Sequence, residues 1–174
     1  KIKRIYSRKV DLVVGVSQFI LTKHIKLGFF PQSDHDFFYN PVPKVSEALS
    51  NEFKDGNNLC IGFLGRLDPS KGVEDVIQVV RKLRKELPIK LFIAGTGDKE
   101  YERLLRAKAK GLPVEFLGHV APEDLFRSIH CLVVPSRWHE SFGLVIIESY
   151  TFGIPVIGAA RGGIPEIIDE GKTG

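Results

Sequence analysis

Residues 59–83, LCIGFLGRLDPSKGVEDVIQVVRKL, contain three patterns in succession. The first six residues, LCIGFL, form an apolar run of strand length, too short for a buried helix. Residues 65–72, GRLDPSKG, are polar, open and close on glycine and contain Pro69, which marks a loop. From Val73 the apolar residues Val73, Val76, Ile77, Val80 and Leu83 recur every three or four positions, while Arg81, Lys82, Arg84 and Lys85 take the other face, so the spacing predicts a helix over 73–86. A continuously apolar strand running into an amphipathic helix is the opening of a strand–helix–strand unit, because parallel strands buried on both faces lose the polar alternation.

The same alternation continues to the end of the chain. Strands are predicted at 89–94 (IKLFIA), 114–117 (VEFL), 131–134 (CLVV) and 155–158 (PVIG), and helices near 99–110, 122–129 and 142–152, with a short last one from Pro165. Connections long enough to hold helices imply a parallel sheet, so the fold class is α/β: a Rossmann-like open parallel sheet with helices on both faces. Ligands of such sheets bind outside the carboxyl ends of the strands, which directs attention to the segments after residues 64, 94, 117 and 134. Upstream, DLVVGVS (11–17) is a strand, and Ser17 is placed to cap a helix through QFILTKHIKLGF (18–29). NPVPK and the polar, aperiodic SEALSNEFKDGNN form a linker. The organisation expected is therefore residues 1–40 as the tail of a preceding domain, 41–56 as a linker and 57–174 as an α/β domain, with incomplete units at both ends implying a longer protein.

Composition narrows the class. The chain has 174 residues, 43% hydrophobic and 26% charged, which suits a soluble globular domain. It shows neither an apolar run of membrane-spanning length nor a leader pattern, so a cytoplasmic protein is expected. Cys60 and Cys131 lie in apolar strands and are expected to be core thiols rather than a disulfide or metal ligands. Residues 1–30 hold seven Lys or Arg against one acid, Asp11, and so carry more than the whole net charge of +4. That basic start is a solvated face, a contact with anionic lipid or, with no supporting motif, a contact with nucleic acid.

The loops at the ligand edge contain the candidate groups. In GRLDPSKG, Gly65 permits a tight turn, and Arg66 and Lys71 place two cations before a helix N-terminus, an arrangement suited to a diphosphate; a polar turn with exposed charges is the alternative. In IAGTGDKE, Gly95 and Gly97 allow close approach to a ligand, but a dinucleotide fingerprint needs a third glycine where Glu100 stands. LGHV brings Gly118 and His119 to the same edge, where a lone histidine is more often a surface residue than a ligand. EGKTG at 170–174 resembles the end of a phosphate-binding loop, but Glu166 stands where its first glycine is required and no strand precedes it.

The last loop leads into WHESFGLVIIESYTFG, residues 138–153, an apolar run with a glutamate toward each end. Ser141 is expected to cap a helix whose first residue is Phe142, and Leu144 to Ile147 make that helix apolar all round and hence buried. Glu140 then precedes the helix, and Glu148 lies about two turns inside it, roughly 10 Å along the axis. Buried carboxylates need partners. Glu148 either pairs with an interior Arg or backbone donor, or both glutamates accept hydrogen bonds from a polyhydroxylated ligand whose anionic part meets the N–H groups near Gly143 and Leu144.

Three motifs in order carry a resemblance: the GRLDPSKG loop, Glu140 and Glu148 with the seven residues SFGLVII between them, and GGIPE at 162–166. Residues 57–174 resemble the donor-binding domain of the retaining GT-B glycosyltransferases of family four. The resemblance implies that Arg66 and Lys71 hold a nucleotide diphosphate and stabilise its leaving charge, that Glu140 orients the donor hexose, and that Glu148 accepts from the ribose. It also implies that Ser141, Phe142, Gly143 and Leu144 lie beside sugar and phosphates, with Gly65, Gly95 and Gly97 lining the cleft, and that the backbone of Gly118, His119 and Val120 meets the base. A UDP- or GDP-sugar donor, no metal and no other cofactor are implied, as is an acceptor among lipid-linked or cell-envelope glycans with peripheral contact at the cytoplasmic membrane face. The acceptor-binding domain of that family lies outside residues 1–174, so this chain alone is expected to bind donor weakly and transfer nothing. The alternatives are another GT-B protein of epimerase or phosphorylase type, or a non-catalytic nucleotide-binding module.

Overall fold

The computed structural model describes residues 5–42 and 56–174, and the expected linker at 41–56 therefore lies almost wholly outside the described residues, as do Lys1, Lys3 and Arg4 of the basic start. The larger part is a five-stranded sheet built from β3 (Leu59–Leu64), β4 (Ile89–Ala94), β5 (Val114–Gly118), β6 (Cys131–Val134) and β7 (Val156–Gly158). All neighbouring strands are parallel, and their spatial order is β5-β4-β3-β6-β7. The chain leaves β3 toward β4 and β5, then returns to place β6 on the other flank of β3. The strand order thus reverses between β3 and β6, and a crevice opens at the carboxyl ends of those two strands.

Alternate residues of β3 serve two separate cores, as the period of a strand requires. Ile61 and Phe63 pack with Val73, Val76, Ile77 and Val80 of the helix Val73–Leu83, and with Leu105 and Ala109 of the helix Lys99–Ala109. Cys60 packs on the opposite face with Leu125, Phe126 and Ile129, beside Leu132, Ile146 and Ile154. Cys60 is buried, whereas Cys131 is only partly so, its thiol pushed up by burial; neither is in a disulfide. The helices are shorter than periodicity predicts, ending at Leu83, Ala109 and Phe126.

A second, small unit precedes this sheet. Leu12–Gly15 (β1) pairs in parallel with Asp34–Phe37 (β2), and the helix Gln18–Lys26 (α1) connects them. Ser17 caps α1 as expected, its hydroxyl accepting from the Ile20 amide at 3.2 Å. β2 reads DHDF and was not predicted, since it has no apolar alternation and Asp34, His35 and Asp36 are exposed. Among the described residues no helix is long and apolar enough to cross a membrane.

Candidate functional site

The loop after β3 is held from within. Asp68 accepts from the Ser70 amide at 2.9 Å and from its hydroxyl at 2.5 Å, shaping a single 3-10 turn over Pro69–Lys71. The loop after β6 is fastened to it: the Ser70 carbonyl accepts from the Arg137 and Trp138 amides at 2.8 and 3.2 Å. Arg137 also grips Asp75, at the start of the next helix, with two parallel hydrogen bonds of 2.8 and 2.6 Å.

Within this frame Lys71 and Glu140 meet. The Lys71 ammonium donates to Glu140 Oε1 at 2.6 Å, and the Ser136 hydroxyl donates to the same oxygen at 2.6 Å. The Glu140 side chain is only 18% exposed. Burial would raise its carboxyl, but the hydrogen bonds from Lys71 and Ser136 and the Lys71 charge outweigh it, and the group is held below the ordinary carboxylate range. Oε2 has no protein partner among the described residues, so one acceptor oxygen stays available for a ligand hydroxyl.

Two open cavities adjoin along the carboxyl edge. The first, about 550 Å³, is bounded by Lys71, Ser136, Glu140, Ser141, Phe142 and Gly143, with Asn40 reaching in from the small unit. The second, about 890 Å³, is bounded by Gly95, Gly97, His119, Val120 and Glu148. Leu64, Gly65, Arg66, Leu144 and Val145 line both, so Arg66 stands at their junction. Arg66 is exposed and Glu148 half-buried, and neither side chain makes a hydrogen bond or ion pair among the described residues. The interior partner considered for Glu148 is thus not found.

Several expected details are corrected. Ser141 is not the cap and Phe142 is not helical: the helix spans Leu144–Thr151, and Gly143 stands before it at φ 113°. A positive φ suits glycine, and a serine there would be strained. Phe142 is instead buried below the cleft and stacks on Tyr39 at 5.6 Å. Leu144 is 52% exposed, so the helix is not buried all round; its apolar first turn forms cleft wall. Glu148 consequently lies just over one turn into the helix. Gly118 does not line either cavity; its carbonyl accepts from the Gly95 amide at 2.6 Å. Asn40 and Ser136 were not anticipated. Ser136 follows a strand that predictably ends at the rim, which was the available signal, while Asn40 sits in a segment read as linker entry.

The pair at Glu140 sets a pH dependence. In the unfolded chain this carboxyl titrates near its ordinary value of 4.5, above its folded value, so unfolding takes up a proton in acid. Its stabilising contribution is complete above that pH and is lost as pH falls through the lower folded value. Asp75, lowered chiefly by its hydrogen bond with Arg137, acts in the same sense below 3.8. Urea midpoints measured from pH 7 to pH 3 are expected to fall in acid, and Glu140→Gln is expected to flatten the descent; parallel curves for the two proteins would rule the pair out as a source.

The family model for glycosyl transferases group 1 matches residues 46–174. An uncharacterized 42.6 kDa protein of the cps region of Klebsiella pneumoniae is 32% identical over 165 residues, covering 95% of this chain and 42% of that protein. D-inositol 3-phosphate glycosyltransferase of Corynebacterium jeikeium is 37% identical over 158 residues, covering 83% of this chain and 38% of its own length. The chain therefore spans less than half the length of these relatives. Among solved structures, Anabaena HepE in complex with UDP and glucose superposes with a TM-score of 0.78 at 22% identity, over 98% of this chain and 50% of that one, a likeness of fold. The parallel sheet matches one half of a GT-B enzyme. With the family match reaching from before β3 to the last residue, through both loops that bring Lys71 and Glu140 together, the chain belongs to the glycosyl transferases group 1 family.

Proposed function

We propose that this chain forms the donor half of a glycosyltransferase that moves a hexosyl group, with retention of configuration, from a UDP- or GDP-sugar. The observation that supports this most directly is the order of charges along the cleft: Glu140 bounds one cavity, Glu148 bounds the other, and Arg66 stands where they join, with Lys71 beside Glu140. A nucleotide sugar has the same order of groups, with hydroxylated sugar, diphosphate and hydroxylated ribose in sequence. In this reading Arg66 and Lys71 hold the diphosphate and stabilise the charge that grows on it as the glycosidic bond breaks. Glu140 Oε2 accepts from the hexose, Glu148 accepts from the ribose, and the wall formed by His119 and Val120 faces the base. The UDP and glucose of the HepE complex support the donor class.

Calorimetric titration with UDP, UDP-glucose and GDP-mannose tests the reading. One uridine or guanosine series is expected to bind, with Arg66→Ala and Glu148→Ala each weakening it at least tenfold, the loss of one or two charge-assisted hydrogen bonds. No heat from any of the three at millimolar concentration would overturn it.

A further inference from the structure

Glu166, the last residue of GGIPE, lines neither cavity and bonds instead to the small N-terminal unit. Its two carboxylate oxygens accept from the first two amides of α1: Gln18 to Oε2 at 2.8 Å and Phe19 to Oε1 at 2.7 Å. Ser17 accepts from Ile20, so three of the four N–H groups that a helix start leaves unpaired are satisfied, two of them by a residue nearly 150 positions downstream. A carboxylate is also the favoured charge at the positive end of a helix. The Glu166 carboxylate lies beside the Tyr39 hydroxyl as well, from the segment after β2.

The start of α1 is in turn packed on the loop that carries Glu140. The Ser17 hydroxyl donates to the Ser141 carbonyl at 2.5 Å, Phe19 stacks on His139 with ring centroids 5.4 Å apart, and Tyr39 stacks on Phe142. From behind, the Gly163 amide donates to the Glu140 carbonyl at 2.8 Å. Residues 139–142 are therefore enclosed between the GGIPE turn and α1, and Glu166 is the group that joins those two walls.

We propose that Glu166 is a positioning residue of the donor site: by pinning the start of α1 it presses Ser17, Phe19 and Tyr39 onto the 139–142 loop and fixes where the Glu140 carboxylate meets the transferred sugar. The consequence for sugar binding rests on the function proposed above; the mechanical link does not. It follows that the small unit shapes the donor site through the 139–142 loop as well as through Asn40, which lines the first cavity.

Hydrogen exchange and ligand titration on the same proteins separate the two. In Glu166→Ala, the amides of 18–20 and the Gly163 amide, which donates to the Glu140 carbonyl, are expected to exchange about tenfold faster, the scale of a lost charge-assisted hydrogen bond, while β3 and β4 stay as protected as in the wild type. Glu166→Gln, which keeps one acceptor oxygen, is expected to fall between. Acceleration confined to 18–20, or none at all, would overturn the proposal, because Glu166 would then be a helix cap and nothing more. With UDP and UDP-glucose as probes, Glu166→Ala is expected to weaken the sugar nucleotide about tenfold and leave UDP within twofold; equal losses for both would also overturn it. If the wild-type chain binds neither probe, the donor reading fails and the exchange data alone decide the link.

Discussion

Lys71→Ala is expected, on the donor reading proposed above, to reduce sugar transfer about 10²–10³-fold, the usual result of removing one donor aimed at developing charge. Two losses combine. The cation beside Glu140 disappears, and Glu140 is left largely out of water with Ser136 as its remaining partner. An incompletely satisfied carboxylate at such a position costs about 1–3 kcal/mol, so the urea midpoint should fall as well. Because the two side chains share one hydrogen bond, Lys71→Ala and Glu140→Ala should not add: the double variant is expected to be more stable than the sum of the single losses predicts, since removing both charges leaves neither stranded. Turnover by Lys71→Ala within twofold of wild type would show that the ammonium holds Glu140 and does not serve the donor.

That pair also shows where sequence patterns reach and where they stop. Residues 59–64, 89–94 and 131–134 agree with the observed strands because central parallel strands bury both faces and leave an apolar run, broken here by Lys90 alone. Each run ends at the rim, so Lys71 and Glu140 were both expected there. Their contact across 69 positions depends on β6 returning to the flank of β3, a matter of strand order that alternation of elements does not specify. The helix start after Glu140 shifted for a similar reason: Gly143 takes its positive φ in a loop whose backbone is held by Gly163 and Ser17, both distant in sequence. Leu144 was read as core because a cleft wall and a core have the same composition; only the fold distinguishes an apolar side chain awaiting a ligand from one already covered. β2 stayed hidden because its pairing with β1 uses backbone groups alone, which DHDF supplies as well as any sequence.

Gly95→Ala is expected to be among the most destabilising single-methyl changes in the chain, costing about 3 kcal/mol or more. A Cβ at residue 95 would stand 1.9 Å from the Gly65 carbonyl oxygen and 2.8 Å from its carbon, and φ is +132°, so both space and conformation oppose a side chain. The obstructing atoms are backbone and are themselves tied: the Gly65 amide donates to the Ala94 carbonyl at 3.0 Å, and the Gly95 amide to Gly118 at 2.6 Å. Relief therefore requires separating the ends of β3, β4 and β5 together. Gly111→Ala is the matched control, with φ +73° but nothing within 4 Å of the added methyl, and its cost should be only the left-handed penalty of about 1–2 kcal/mol. Gly65 and Arg66 line both cavities, so the first substitution should also weaken nucleotide binding while the second leaves it unchanged. Urea midpoints and UDP titrations on the two variants side by side decide the matter. Equal destabilisation would mean that the strand ends part easily under strain, and a rim that yields to one methyl group could not hold Arg66 at the junction of the two cavities.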